Sequence, residues 1–115
     1  MSAGTDLDRT LSALSDPTRR RVVDLLHQGP RRAGELAEAF GMSAAAMSRH
    51  LRVLRTTGLV EEKHQGDDAR VRVYRLKPQR FLALQKWLDE VSSFWTGELE
   101  AFAHYAERTR GKGSR

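Results

Sequence analysis

Residues 35–74 read ELAEAFGMSAAAMSRHLRVLRTTGLVEEKHQGDDARVRVY, and the order of residue types along this stretch decides the fold. Leu36 and Phe40 lie four apart, on one face of a helix expected over 33–40. Gly41 follows and accepts the positive φ that a steep corner between two helices demands. Ala37 is small where the two helices approach closely, and Met42 and Met47 supply apolar contacts that fix the angle. Ser43 is an N-cap for the second helix, which runs through residues 44–46 to about Thr57 and stops at Gly58. Leu59 and Val60, then residues 71–76, are strand candidates, with the turn signal Gly66-Asp67-Asp68 between them.

If Met47, Leu51 and Leu54 face inward, then Ala44, Ala45, Ser48, Arg49, Arg52 and Arg55 lie on the outer faces of the second helix. Small Ser43, Ala44 and Ala45 let its N-terminus approach a polyanion closely, and the free N–H groups there attract phosphate. An arginine at position 49 or 52 has the planar fork that matches guanine, a contact that discriminates by about 1–3 kcal/mol. Arg49 is assigned as a base reader with Ser48 beside it, and Arg52 as a base or phosphate contact. His50 stands where an apolar residue is expected, with Leu51 next to it to fill the core. On the hairpin, Lys63, Arg70 and Arg72 are expected to meet the phosphate backbone. Asp67 and Asp68 argue against deep insertion of the tip, so Arg70 and Arg72 should do more than the tip.

Charge supports this division of labour. The net charge is +5 and the sequence pI about 10.2, which suits a polyanionic partner. Residues 41–77 hold eight Lys/Arg against four Asp/Glu, whereas residues 1–40 balance at six each. Residues 78–107 are acidic, with two against five, and residues 108–115 add four positive charges. The surplus therefore sits on the second helix and hairpin, with a smaller cluster at the end. At 115 residues, with 39% hydrophobic and 30% charged residues, the composition is that of one modest domain. No apolar run approaches the roughly 20 residues that span a bilayer and no signal-peptide core is evident, so a cytoplasmic protein without membrane association is expected. There is no cysteine, which excludes disulfides and thiolate metal sites.

Outside the central stretch, Leu7, Leu11 and Leu14 predict a short amphipathic helix over 6–14. Asp16-Pro17 caps and opens a helix over 18–27, with Val22, Val23, Leu25 and Leu26 inward and Gly29-Pro30 as its stop. Pro78 opens a last helix over 79–108, and residues 109–115 read as a flexible basic tail. That last helix carries Leu84, Leu88, Val91, Trp95, Leu99 and Phe102 at steps of three or four, widened by Trp87, Phe94 and Tyr105. One small domain does not need so long an apolar face, and left exposed it would aggregate. A homodimer through this helix and the Leu7/Leu11 face is the economical reading. Completion of the monomer core by Trp87, Phe94 and Trp95 is the alternative, and Trp87, Trp95 and Tyr105 are also placed to line an organic-ligand pocket.

Three segments, ALSDPTRRRVVDLL, GELAEAFGMSAAAMSRHLRVLRTTGLV and RVRVYRL, together resemble the ArsR/SmtB family of bacterial repressors over residues 13–76. The resemblance implies a winged helix-turn-helix homodimer that represses transcription from an inverted-repeat operator in double-stranded DNA until an effector releases it. The fold class expected is therefore mainly α with a small β-hairpin (α+β): one domain over 1–108 with five helices and a wing, dimerising through 6–14 and 79–108. Metal-sensing relatives carry cysteines where this chain has Arg32, Gly34 and Ala37, so the resemblance is to the cysteine-free, non-metal-sensing type. In the last helix, His104 and Glu107 match half of a second familiar site, but Val91 and Ser93 fall at the other half and cannot ligate. No metal site, no cofactor and no catalytic residues are expected, and the effector stays open. No phosphate-binding glycine loop or nucleophile–base pair points to an enzyme. A protein-interaction module and a non-specific architectural DNA-binding protein are the competing readings. The basic second helix, with small residues at its N-terminus, argues against the first of these.

Overall fold

A computed structural model describes residues 3–113. The chain runs α1 (Ala3–Leu14), α2 (Pro17–His27), α3 (Ala33–Ala39), α4 (Ala44–Thr56), β1 (Val60–Gln65), β2 (Asp68–Leu76) and α5 (Pro78–Gly113). It divides into two units, residues 1–83 and residues 84–115. The first holds the core and the helix-turn-helix. The second, within the described residues, is the part of α5 from Leu84 onward.

Local chemistry fixes the helix ends. The Asp16 carboxylate accepts the Arg19 N–H at 2.9 Å and caps α2, with Pro17 as its first residue. Ser43 Oγ accepts the Ala46 N–H at 3.1 Å and caps α4. At the start of α3, the Glu35 carboxylate reaches back to accept the Arg32 N–H at 2.9 Å. Gly41, at φ +60°, turns the chain between α3 and α4, and the Met42 N–H closes the corner on the Ala37 carbonyl at 2.9 Å.

The core is built from one face of each element. Val22 and Leu26 come from α2, Leu36 and Ala37 from α3, and Met47, Leu51 and Leu54 from α4; Leu59 and Val60 follow, and all are buried. Val23 and Leu25 of α2, expected inward, are half-buried and pack on its margin, as does Phe40. Ala13 of α1 is buried, whereas Leu7 and Leu14 are half-buried and Leu11 is exposed.

Four boundaries differ from the sequence reading. The first strand is Val60–Gln65 and not Leu59 and Val60 alone: Leu59 is a buried turn residue, and the polar run 61–65 is held in strand form by pairing with β2. The second strand starts at Asp68, because Gly66 at φ +64° allows a tight two-residue turn that pairs Gln65 with Asp68. α1 starts at Ala3, ahead of the expected residue 6. α5 passes Arg108 and stays helical to Gly113; residues 114 and 115 of the expected tail lie outside the described residues. The hairpin also gains an edge that periodicity does not announce. Arg31 and Tyr74 exchange backbone hydrogen bonds of 3.1 and 2.7 Å, tying the loop before α3 to β2.

Candidate nucleic-acid interface

α4 has two chemically opposite faces. Met47, Leu51 and Leu54 are each at most 1% exposed, so the helix cannot rotate without opening the core. Residues 3.6 per turn then oblige Ala44, Ala45, Ser48, Arg49 and Arg52 to face outward, and all five are exposed. Arg49 and Arg52 have no ion-pair partner among the described residues, so their guanidinium forks stand available to an external acceptor. Ser43 is exposed as well. Its hydroxyl oxygen is engaged as the cap, which leaves its proton to donate. The outward surface of α4 thus combines an open N-terminal turn, two small side chains and two cations.

His50 is half-buried at the inner margin of this helix. Its Nδ1 lies 3.4 Å from Arg19 Nη1 and 3.8 Å from the Asp16 carboxylate. Arg19 also donates from Nε to the Ala13 carbonyl at 2.7 Å, and Arg20 donates to the Leu14 carbonyl at 2.7 Å. The last turn of α1, the first turn of α2 and the middle of α4 are therefore knitted together. The Arg19 N–H bond to Asp16, helped by the Arg19 and His50 charges, holds that carboxyl below the usual carboxylate range. An apolar residue at position 50 would have made the sequence simpler to read; the histidine is there with polar partners.

The hairpin is where the sequence reading needs amendment. Lys63, Arg70 and Arg72 are exposed, as expected, but two glutamates of β1 share the cations of the ribbon. Glu62 accepts from Arg72 at 3.0 Å, from Arg55 of α4 at 3.0 Å and from the Tyr74 hydroxyl at 3.3 Å. Glu61 accepts from Arg75 at 3.0 Å and lies 3.7 Å from Lys63. The Arg72 hydrogen bond is the main reason that Glu62 titrates below its ordinary range, against the upward push of partial burial. At Glu61 partial burial pushes upward, and the Arg75 hydrogen bond with the charges of Lys63, Arg75 and Lys77 outweighs it. Burial, then the Glu62 charge, raises the Tyr74 hydroxyl. Glu61 and Glu62 were missed as functional neighbours because pairing register, not local sequence, brings them to Arg75 and Arg72. The adjacent EE against alternating arginines was the available signal.

On α5, Leu88, Val91, Trp95, Leu99 and Phe102 are all exposed, between 36% and 69%, as are Trp87, Phe94 and Tyr105. Leu84 is half-buried. Phe94 and Trp95 touch edge to face, 5.7 Å between ring centres. No group of three or more His, Asp or Glu among the described residues is placed to hold a metal, and no helix there is long and apolar enough to cross a membrane.

A recognition-type helix docked by its apolar face, an open N-terminal turn, and a two-stranded ribbon beside it define a winged helix-turn-helix DNA-binding protein. Comparison with known proteins carries this further. The family description "Bacterial regulatory protein, arsR family" matches residues 16–62. The HTH-type transcriptional regulator Rv2034 of Mycobacterium tuberculosis is 42% identical over 103 residues, covering 90% of this chain and 91% of that relative. The transcriptional repressor SdpR of Bacillus subtilis is 37% identical over 60 residues, 52% of this chain and 67% of its own. Among solved structures, a homodimeric winged helix-turn-helix DNA-binding domain from Mycobacterium bovis superposes with a TM-score of 0.61 at 29% identity, covering 77% of this chain and 80% of that one. The chain belongs to the arsR family. It is a DNA-binding transcriptional regulator and not an enzyme.

Proposed function

We propose that the protein is a cytoplasmic repressor that binds an inverted-repeat operator as a homodimer. Arg49, with Ser48 beside it, faces base edges in the major groove. Arg52 takes a base or a phosphate. Ser43, Ala44 and Ala45 let the N-terminus of α4 approach a phosphate, and Lys63, Arg70 and Arg72 steady the ribbon on the backbone. The dimer forms through the α5 stripe of Leu84, Leu88, Val91, Trp95, Leu99 and Phe102, joined by Leu7 and Leu11 of α1. Two-fold symmetry then sets two copies of α4 on half-sites one turn apart, about 34 Å, or a multiple of it.

The observation that carries this reading is the pairing of a locked inner face of α4 with two uncommitted arginines on its outer face. A relative that is a repressor and a structural neighbour that is a homodimer support the finer terms. The test is Arg49→Ala on the fragment that the native protein binds best. Loss of one bidentate guanine contact should cost about 1–3 kcal/mol, roughly five- to 150-fold, in preference over random duplex, with the dimer intact. Unchanged preference would refute the assignment of Arg49.

A further inference from the structure

Glu62 sits where the ribbon meets α4, and both of its carboxylate oxygens are engaged. One takes Arg72 Nη1 at 3.0 Å, the other Arg55 Nη1 at 3.0 Å and the Tyr74 hydroxyl at 3.3 Å. The register explains the convergence: Glu62 is directly opposite Tyr74 in the ladder, and Arg72 is the diagonal neighbour on the same face. The carboxylate itself is largely shielded, its side chain 18% exposed, whereas those of Arg55 and Arg72 are 48% and 61% exposed. Each guanidinium has five N–H donors in a rigid fork, so the single Nη1 contact leaves others directed outward. Glu62, Lys63, His64 and Arg72 also line an open polar hollow of about 270 Å³ on the ribbon, ample for a phosphate group.

We propose that Glu62 is a positioning residue that sets operator specificity. It locks Arg55 of α4 and Arg72 of the ribbon into one group, so that both forks meet backbone phosphates only when α4 lies in its correct register. This rests on the DNA-binding reading given above and adds a residue that touches no DNA. The physical reason is preorganisation. A long side chain ordered only on binding costs affinity, and Glu62 orders two of them in the free protein. A loosely held non-specific complex draws little benefit from fixed geometry and depends on net charge. Removing the carboxylate charge therefore acts in opposite directions on the two kinds of complex.

The experiment compares Glu62→Gln with the native protein on its best-bound genomic fragment and on a random duplex, across a series of salt concentrations. Affinity for the selected fragment should fall by roughly five- to hundredfold, the ordering cost of two arginines. Affinity for the random duplex should hold or rise. Glu38→Gln removes the same charge from an exposed carboxylate of α3 that pairs with none of these arginines and should leave the selectivity ratio within about twofold of native. Equal gains on both duplexes in Glu62→Gln, or the same change in Glu38→Gln, would mean bulk charge alone and overturn the proposal. If Glu62→Gln lowers the thermal midpoint enough to melt the hairpin, Arg55→Lys carries the test. It keeps the charge but lacks the fork, and selectivity should still fall while random-duplex affinity stays native; an unchanged ratio overturns the proposal. A native protein that selects no fragment defeats the DNA-reading assignment itself. Native selection with unaltered ratios in both Glu62→Gln and Arg55→Lys defeats only the role of Glu62.

Discussion

Replacing Trp95 with alanine should dissociate the protein without unfolding it, and the size of the effect follows from exposure. Trp95 is 57% exposed in the single chain. Of about 250 Å² for a tryptophan side chain, roughly 140 Å² is therefore available to a partner. At about 25 cal/mol per Å², full coverage is worth about 3.5 kcal/mol, and a symmetric pair contains the residue twice, about 7 kcal/mol. Ordering costs and incomplete coverage keep only part of such a sum. One third of it, about 2.3 kcal/mol, still weakens dimerisation by roughly fiftyfold. Sedimentation velocity over a dilution series measures this directly, with circular dichroism to check that helix content is kept. The native protein should sediment as a dimer and Trp95→Ala should shift toward monomer at concentrations where the native chain does not. A native chain that is monomeric throughout, or a variant that dimerises as tightly, would refute the assignment of this stripe as the interface.

Two further outcomes follow from the core and the charge pairs. Leu51 is 1% exposed at the base of α4, so Leu51→Ala should lower unfolding stability by about 2–5 kcal/mol, read as a lower urea midpoint with an unchanged slope; a shift under about 1 kcal/mol would mean that α4 is not anchored through this residue. Asp16, Glu61 and Glu62 are all held below their ordinary values in the folded chain, so the unfolded chain takes up protons first as acid is added. The stability they contribute is complete above the ordinary carboxylate range near pH 4 and is lost as pH falls through the lowered folded values. The thermal midpoint should drop across that window, and less steeply in Glu62→Gln; a midpoint flat from about pH 5 to 3 would contradict the pairing.

Much of this was legible because it is local. The spacing of Met47, Leu51 and Leu54, the Ser43 and Asp16 caps, and Gly41 at the corner each act within one helical turn, and the structure has them as read. The outward set of α4 followed from the inward set by geometry. What escaped depends on contacts distant in sequence. The run 61–65 has no strand-like alternation, and only pairing with β2 makes it a strand. Arg31 reaches Tyr74 from the loop before α3 to the second strand, and Arg19 reaches His50 past the rest of α2 and all of α3. The acidic partners of Arg72 and Arg75 depend on ladder register, which a bulge between His64 and Gln65 shifts. The aromatic residues of α5 allow core, pocket or interface from periodicity alone, because which face a long helix buries depends on partners far from it in sequence or on another chain.

The most direct test of the central claim is selection of bound fragments from the source genome by the purified protein, at about 150 mM salt, where non-specific attraction is screened. The account predicts recovery of an inverted repeat whose half-site centres lie one helical turn apart or a multiple of it. Recovery of fragments with no shared sequence, or of none at all, would contradict it.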